Sequence, residues 1–350
     1  MTVKETEKLN EEQRKLQVTG GSTFILSLPK DWATKNELKR GSSMIVREED
    51  DGSLSISPSS LPKQGQADEA FIKAVQTDNP DAIMRTVISA YLNGYNIIHI
   101  RAQNQKILPS KLRTHLKTFA RNYLVGTEIV TDTVTDLTLQ VLLNYPELTV
   151  QNALSRMAII ASSMHKEALQ SLIHLDYSSA KAVIETDREV NRFGLYIVRL
   201  LKLAVSNQRF VKEIGLDSQK YCLGYRLITK SVERSADHAT KIAENILYLK
   251  EPVDKELLNK IIQLSELANT MFETSVSALF KNDFHQAETV FENLEQIHQI
   301  EQEAILTSQH IPAEGVANLR LLIESVRRTA EYASDISEIV LNLNVDSVLS

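Results

Sequence analysis

A chain that carries one pattern twice must build one substructure twice, and this chain does so across its C-terminal half. The stretch beginning at Met164, MHKEALQSLIHLDYSSAKAVIETDREVNR, returns from Met271 as MFETSVSALFKNDFHQAETVFENLEQIHQ, 107 residues later. At that offset Met164, Leu172, Asp176, Ala180, Val183 and Glu185 meet identical residues, while Tyr177 meets Phe284 and Val190 meets Ile297. Further on, SVERSADHATKIAENI (231–246) aligns with SVRRTAEYASDISEIV (325–340) at an offset of 94. The first copy therefore holds 13 extra residues in its middle connection, around SNQRFVKEIGLDSQKY. Apolar positions return every three or four residues, as amphipathic helices require. The spacing predicts two copies of a three-helix unit, over 149–250 and 251–346, packed side by side.

The front of the chain is built differently. Four strand-like runs, RKLQVT, TFILSLP, SMIVREE and SLSIS, are joined by turn residues at Gly20-Gly21 and Asp50-Asp51-Gly52. One short helix, KDWATKNELKRG, is expected between them, ending at Gly41. A segment as small as residues 14–57 cannot bury a core alone, so pairing with a second chain is the expectation. From Arg14 to Arg47 there are seven Lys/Arg against two Asp/Glu, whereas residues 251–350 carry six against seventeen. A basic island in a protein of net charge -6 points to a local contact with something anionic.

Residues 1–13 are charged throughout, with no secretory signal's apolar core, and are expected to form a disordered tail. Residues 58–66, rich in Pro, Ser, Gly and Gln, read as a linker. Over 67–148 the helical runs NPDAIMRTVISAYLNG and LPSKLRTHLKTFARNYL alternate with strand-like NIIHIRA, GTEIVTD and LTLQVLL, which predicts a small connecting α/β domain. It carries no phosphate loop and no GxGxxG. The single cysteine, Cys222, excludes an intrachain disulfide and a cysteine zinc cage within one chain. No run reaches bilayer length, so a cytoplasmic protein that does not span a membrane is expected.

In the repeat, Glu233 and Asp237 are four apart and share one helix face. Ala236, Ala239 and Ala243 form a small-residue stripe beside them that lets another helix approach closely. Two acids at the edge of such a seam repel unless a cation neutralises them. A divalent or ferric ion held between neighbouring helices does so, with Asp187 and Asn191 as further oxygen ligands. The plainer alternative is a solvated face, with Glu233 paired to Arg234 or another basic neighbour and Asp237 to Lys241. In the second copy Arg327 and Glu331 replace Glu233 and Asp237 and can neutralise each other, while Glu331 and Asp335 restore a Glu-x3-Asp pair one turn later. Glu295 and His298 show the i, i+3 spacing of di-iron bundles, a match more often met on plain surfaces. No Ser/His/Asp or Cys/His arrangement stands out, and none of the eight histidines has zinc-ligand spacing, so an enzyme is not expected.

The duplication, the Glu233-x3-Asp237 signature and the Asp187-x3-Asn191 pattern together resemble the PhoU family of phosphate-uptake regulators, over about Val150 to Leu343. That resemblance implies tandem three-helix bundles whose signature side chains, here the carboxylates of Asp187, Glu233, Asp237, Glu331 and Asp335 with the Asn191 amide, can bind iron or another divalent metal. The chain departs from the pattern at Arg327 and at Leu294, which stands opposite Asp187. The opening stretch, RKLQVTGGSTFILSLPKDWATKNELKRGSSMIV, resembles the swapped-hairpin SpoVT/AbrB-like DNA-binding domain. Arg14 and Lys15 match that family's leading basic pair and Lys30 its basic position after the proline; Gly21, Ser22 and Thr23 stand where a loop arginine is common. The fusion resembles archaeal PhoU-like regulators. It implies an α+β multidomain protein: a swapped-hairpin β domain pairing as a homodimer, a small α/β domain, then an all-α tandem repeat. The implied function is regulation of phosphate-uptake transcription through double-stranded DNA held by Arg14, Lys15, Ser22, Thr23 and Lys30. The alternative is an accessory protein that acts on a phosphate transporter or a signalling kinase by protein contact.

Overall fold

The computed structural model describes residues 12–48, 52–59, 69–75, 78–103, 107–143, 147–308 and 313–349. Most of the expected tail and linker lies outside these residues. The chain divides between Gln66 and Ala67 into two compact units, taken here one at a time.

In the first unit, β1 (Gln17–Thr19) and β2 (Thr23–Ile25) form an antiparallel hairpin in which Thr19 faces Thr23. Gly20 and Gly21 close it at φ +62° and +85°, a left-handed backbone that side chains resist. Helix α1 (Lys30–Lys35) is shorter than the run to Gly41 suggested. It stops because Glu37 turns left-handed at φ +53°, so that Glu37 N–H donates to Thr34 O at 3.0 Å and Leu38 N–H to Ala33 O at 2.9 Å, while Asn36 Nδ2 also donates to Trp32 O at 2.8 Å. A second hairpin joins β3 (Met44–Glu48) to β4 (Leu54–Pro58). Among the described residues of this unit only Pro58 is buried; Phe24 is 67% and Leu54 64% exposed, with Leu16, Val18 and Val46 exposed as well. One copy of this unit has no core.

The second unit opens with an α/β layer: β5 (Glu69–Ala74), α2 (Pro80–Leu92), β6 (Ile97–Ala102), α3 (Ser110–Tyr123), β7 (Thr127–Asp132) and β8 (Asp136–Val141). The strand order is β5-β6-β8-β7, with β5 and β6 parallel and the other neighbours antiparallel. Alternate residues Ile72, Ile98, Ile100, Leu137 and Leu139 are buried with Val87 and Tyr91 of α2 and Leu112 and Leu116 of α3. Strand β5, EAFIKA, escapes a sequence reading because it lies beside the linker-like stretch and has few large apolar residues.

The helices follow: α4 (Val150–His174), α5 (Tyr177–Ser206), α6 (Gln208–Glu213) and α7 (Tyr221–Ile246), then α8 (Lys255–Lys281), α9 (Phe284–Phe291), α10 (Leu294–Thr307) and α11 (Ala313–Asn344). The duplication pairs α4 with α8, α5 with α9 plus α10, and α7 with α11. Its repeated aspartates make the same corner twice. Asp176 Oδ1 accepts from Ser178 N and Ser179 N at 2.9 and 3.2 Å, and Asp283 Oδ1 from Gln286 N at 2.9 Å. Each follows a left-handed residue, Leu175 or Asn282, so the chain reverses and a capped helix starts. The 13 extra residues build α6 and its flanks. The middle helix is continuous in the first copy and interrupted at Glu292 and Asn293 in the second.

Helices of both copies share one core. Helix α7 packs on α11 through small residues: Ala236, Ala239, Ala243, Ala330 and Ala333 are all fully buried. A Cβ on Gly224 would lie 2.9 Å from Leu343 Cδ2, so this end of the seam tolerates nothing larger without a shift. Buried His165 of α4 joins the copies: its Nε2 lies 2.8 Å from Ser265 Oγ of α8 and its Nδ1 3.4 Å from Thr329 Oγ1 of α11. Arg199 of α5, fully buried, bolts the helices to the α/β layer. Its guanidinium donates to Tyr91 O, to Tyr95 O at 3.0 Å, to Gly94 O at 3.1 Å and to Asn96 Oδ1 at 2.7 Å, and lies 4.8 Å above the Tyr91 ring. These carbonyls mark the C-terminal end of α2, where the helix dipole favours a cation.

Burial, chiefly, and the Lys166 charge hold the His165 imidazole down at about 4 against 6.5 when exposed. The unfolded chain therefore takes up the proton first on acidification, and the stabilisation, complete above pH 6.5, drains away towards pH 4. Relative to a His165→Gln variant, the parent's unfolding free energy, read from denaturant midpoints, should fall by about 3 kcal/mol across that range. Arg199→Met should cost about 3 kcal/mol or more, because the α2 carbonyls lose their donors; a change within 1 kcal/mol would refute the bolt.

Candidate functional site

In the N-terminal unit, Arg14, Lys15, Ser22, Thr23 and Lys30 are all exposed. Ser22 and Thr23 sit together at the β1–β2 turn. Arg14 and Lys15 precede β1 at the opposite, open end of the hairpin, and the Arg14 guanidinium pairs with Glu12. Lys30 is the first residue of α1. A single hairpin thus separates the leading basic pair from the turn hydroxyls by the length of a strand.

In the helical unit, Asp187 and Asn191 lie on α5, and Glu233 and Asp237 on the facing side of α7. Asn191 Nδ2 donates to Asp187 Oδ2 at 2.6 Å, while Asp187 Oδ1 is buried without a hydrogen-bond partner. Burial, then the negative charges of Asp237 and Glu233, push the Asp187 carboxyl up to about 6. Asp237 is raised as well, by burial and then by Glu233. Lys230, one turn back, reaches Glu233 Oε1 at 2.8 Å; of the two pairings the sequence offered for Glu233, the structure shows another basic neighbour rather than Arg234. Among the described residues no three Asp, Glu, His or Cys side chains already converge as a ligand set. The donor chemistry nonetheless fits a cation: a buried carboxylate oxygen lacks a partner and two more acids press upon it.

The second copy differs. Arg327 Nε lies 2.7 Å from Glu301 Oε1, and its Nη1 reaches Glu331 Oε1. Arg328 Nη1 takes the other Glu331 oxygen at 2.9 Å. Both oxygens of Glu331 are therefore occupied, and the Glu331–Asp335 pair is not an open pair of ligands. Burial and then Glu338 raise Asp335. Glu295 and His298 are exposed, and the His298 ring lies 4.0 Å from Glu301. These side chains do not fit a metal. Sequence reasoning missed Glu301, whose role appears only when α10 is laid against α11; Lys230 was visible as an i, i+3 partner of Glu233.

His238 and Tyr332 occupy equivalent positions in the two copies and meet each other, Tyr332 Oη lying 3.3 Å from His238 Nε2. Their contact puts the local two-fold axis of the duplication between α7 and α11. Burial, with Lys241, Arg328 and Arg327 nearby, lowers His238 to about 4.

Comparison with known proteins agrees with this architecture. Residues 154–246 and 261–340 match the PhoU domain, and residues 17–64 match "Antidote-toxin recognition MazE, bacterial antitoxin". A Burkholderia protein, "Phosphate-specific transport system accessory protein PhoU homolog", is 30% identical over 109 residues, 31% of this chain and 43% of that relative. The chain thus aligns with less than half of that relative's length. The crystal structure of the phosphate transport system regulatory protein PhoU from Streptococcus pneumoniae superposes with TM-score 0.50 at 18% identity, over 57% of this chain and 96% of that one. PhoU from Pseudomonas aeruginosa gives TM-score 0.50 at 19% identity, over 56% and 96%. The class is a PhoU-like helical fold preceded in the sequence by a small β unit. In particular, the helical half is a tandem PhoU domain, and the front is a MazE/AbrB-like unit.

In metal-free protein the crowded Asp187 works against folding. Its folded value lies above 3.8, so the penalty is absent at low pH and complete above about pH 6. Asp187→Asn should therefore stabilise chelator-treated protein by about 1–2 kcal/mol at pH 7.5, an advantage that disappears near pH 4 in denaturant titrations. An unchanged or lower midpoint at pH 7.5 would show that the acids do not strain this seam.

Proposed function

We propose that this protein is a DNA-binding regulator of phosphate uptake whose PhoU half receives the signal and whose N-terminal hairpins hold the operator. One observation carries the reading: a PhoU repeat is joined to a MazE/AbrB-like unit that, as one copy, leaves Phe24, Val18, Val46 and Leu54 in solvent. A second copy of the unit covers those side chains and supplies the second hairpin. The leading Arg14 and Lys15 of one chain then join the Ser22–Thr23 turn of the other on one surface. Arg14, Lys15 and Lys30 contact phosphates; Ser22 and Thr23 hydrogen-bond backbone or bases. Two-fold pairing implies an operator of approximate dyad symmetry. On this reading the protein works in the cytoplasm. Among the described residues no helix is long and apolar enough to cross a membrane.

The first repeat is the sensor's metal site in this reading. Asp187, Asn191, Glu233 and Asp237 would hold iron or another divalent ion, which supplies the positive charge their seam lacks. The second reading, action on a phosphate transporter or a signalling kinase by protein contact alone, is favoured by the similarity to the Burkholderia accessory protein.

A gel shift on duplex from the protein's own upstream region separates the two. Three basic residues from each of two chains should give about a thousandfold loss of affinity between 50 and 200 mM salt, and Arg14→Ala/Lys15→Ala should flatten that slope. No shift at 50 mM salt, or affinity indifferent to salt, would favour the accessory reading.

A further inference from the structure

The two repeats present the same problem, acids at a helix seam, and only one of them has solved it internally. Aligned at the two offsets, Arg327 stands where Glu233 does, Glu331 where Asp237 does, and Glu324 where Lys230 does. The charge at the signature position is reversed, and so is that of its i-3 partner. On the middle helix the change is matched. Leu294 replaces Asp187, while Glu301 occupies the position of Gly194, two turns further along. The carboxylate has moved along its helix to where a guanidinium from α11 can reach it.

The contacts agree. Arg327 joins Glu301 of α10 to Glu331 of α11, with Nε 2.7 Å from Glu301 Oε1. The Arg327 and Glu301 side chains are 16% and 17% exposed, so water competes little for either. Arg328, at 2.9 Å from Glu331 Oε2, completes the neutralisation. In the first repeat the corresponding Asp187 Oδ1 is buried and faces no donor. A planar guanidinium suits this bridging role, because its fixed fork can serve two carboxylates at once, whereas an ammonium offers only a point charge.

We propose that Arg327 is a built-in cation that takes the place of a metal ion in the second repeat. It ties α10 to α11 permanently and leaves the first repeat as the only half that responds to a divalent ion. The statement about the first repeat rests on the metal reading above; the statement about the second does not. The interruption at Glu292 and Asn293 makes such a tie useful, since α10 is separated from α9 and needs its own anchor to the bundle.

The test uses the full chain, stripped with chelator and titrated with Mn2+ by calorimetry and by thermal unfolding. A first-repeat variant, Asp187→Asn/Glu233→Gln/Asp237→Asn, is expected to show no Mn2+ binding and no shift in midpoint while Arg327 is present. Adding Arg327→Glu recreates the Glu-x3-acid pattern of the first repeat. Its midpoint in chelator should fall by about 5 °C, and Mn2+ should bind with one equivalent and return most of that loss. Arg327→Gln, milder should the Glu variant fail to fold, should show a smaller loss and a weaker Mn2+ rescue in the same direction. Mn2+ bound by the first-repeat variant with Arg327 intact would overturn the proposal. So would Arg327 variants whose midpoints ignore Mn2+. If the parent binds no Mn2+ but the Arg327 variants do, the metal reading of the first repeat fails and this inference stands.

Discussion

The close seam between α7 and α11 governs the arrangement of everything around it. Alanines at 236, 239, 243, 330 and 333 and a glycine at 224 let the two backbones approach, and nothing bulkier fits along that line without a shift. Because these helices are the same element of a duplicated unit, their approach creates a local two-fold axis. His238 meets its own counterpart, Tyr332, across it. The acidic signature then has nowhere to go but the edge of the seam, where α5 or α10 also arrives. Carboxylates there are partly withdrawn from water and must find positive charge.

The two halves find it in different ways. The second uses side chains, with one guanidinium spanning two helices and another closing the remaining oxygen. The first has Lys230 on Glu233 but no donor at Asp187 Oδ1, and burial, then the charges of Asp237 and Glu233, raise the Asp187 carboxyl to about 6. A duplicated fold need not be a duplicated site. One half has become a fixed strut while the other keeps an unmet electrostatic demand, the property a sensor needs if ligand binding is to change its stability. Arg199 anchors the same helix that carries Asp187 to the end of α2 in the α/β layer.

Much of this was legible in the residues. The repeat announced two bundles because amphipathic spacing survives when identities do not, and Asp176 and Asp283 were paired before their capping role could be seen. The front was readable as hairpins from its turn glycines. Other features were hidden for physical reasons. Helix α1 stops at Lys35 because Glu37 turns left-handed, a conformation the sequence would sooner assign to a glycine such as Gly41. Strand β5 lies directly after the linker-like stretch, and its only large aliphatic residue is Ile72, so little marks it as a strand. Glu301 and Arg327 are far apart in sequence and become partners only when α10 packs on α11. Nothing in the sequence marks His165 or Arg199 as buried fasteners, because the partners that hold them lie about a hundred residues away along the chain.

The account comes down to one half being electrostatically open and the other closed from within. Anomalous diffraction from crystals of the full chain grown with Mn2+ tests this directly. The expected result is one peak per chain between α5 and α7, beside Asp187, with the Arg327 guanidinium still bridging Glu301 and Glu331. A peak between α10 and α11, or no peak beside Asp187, would contradict it.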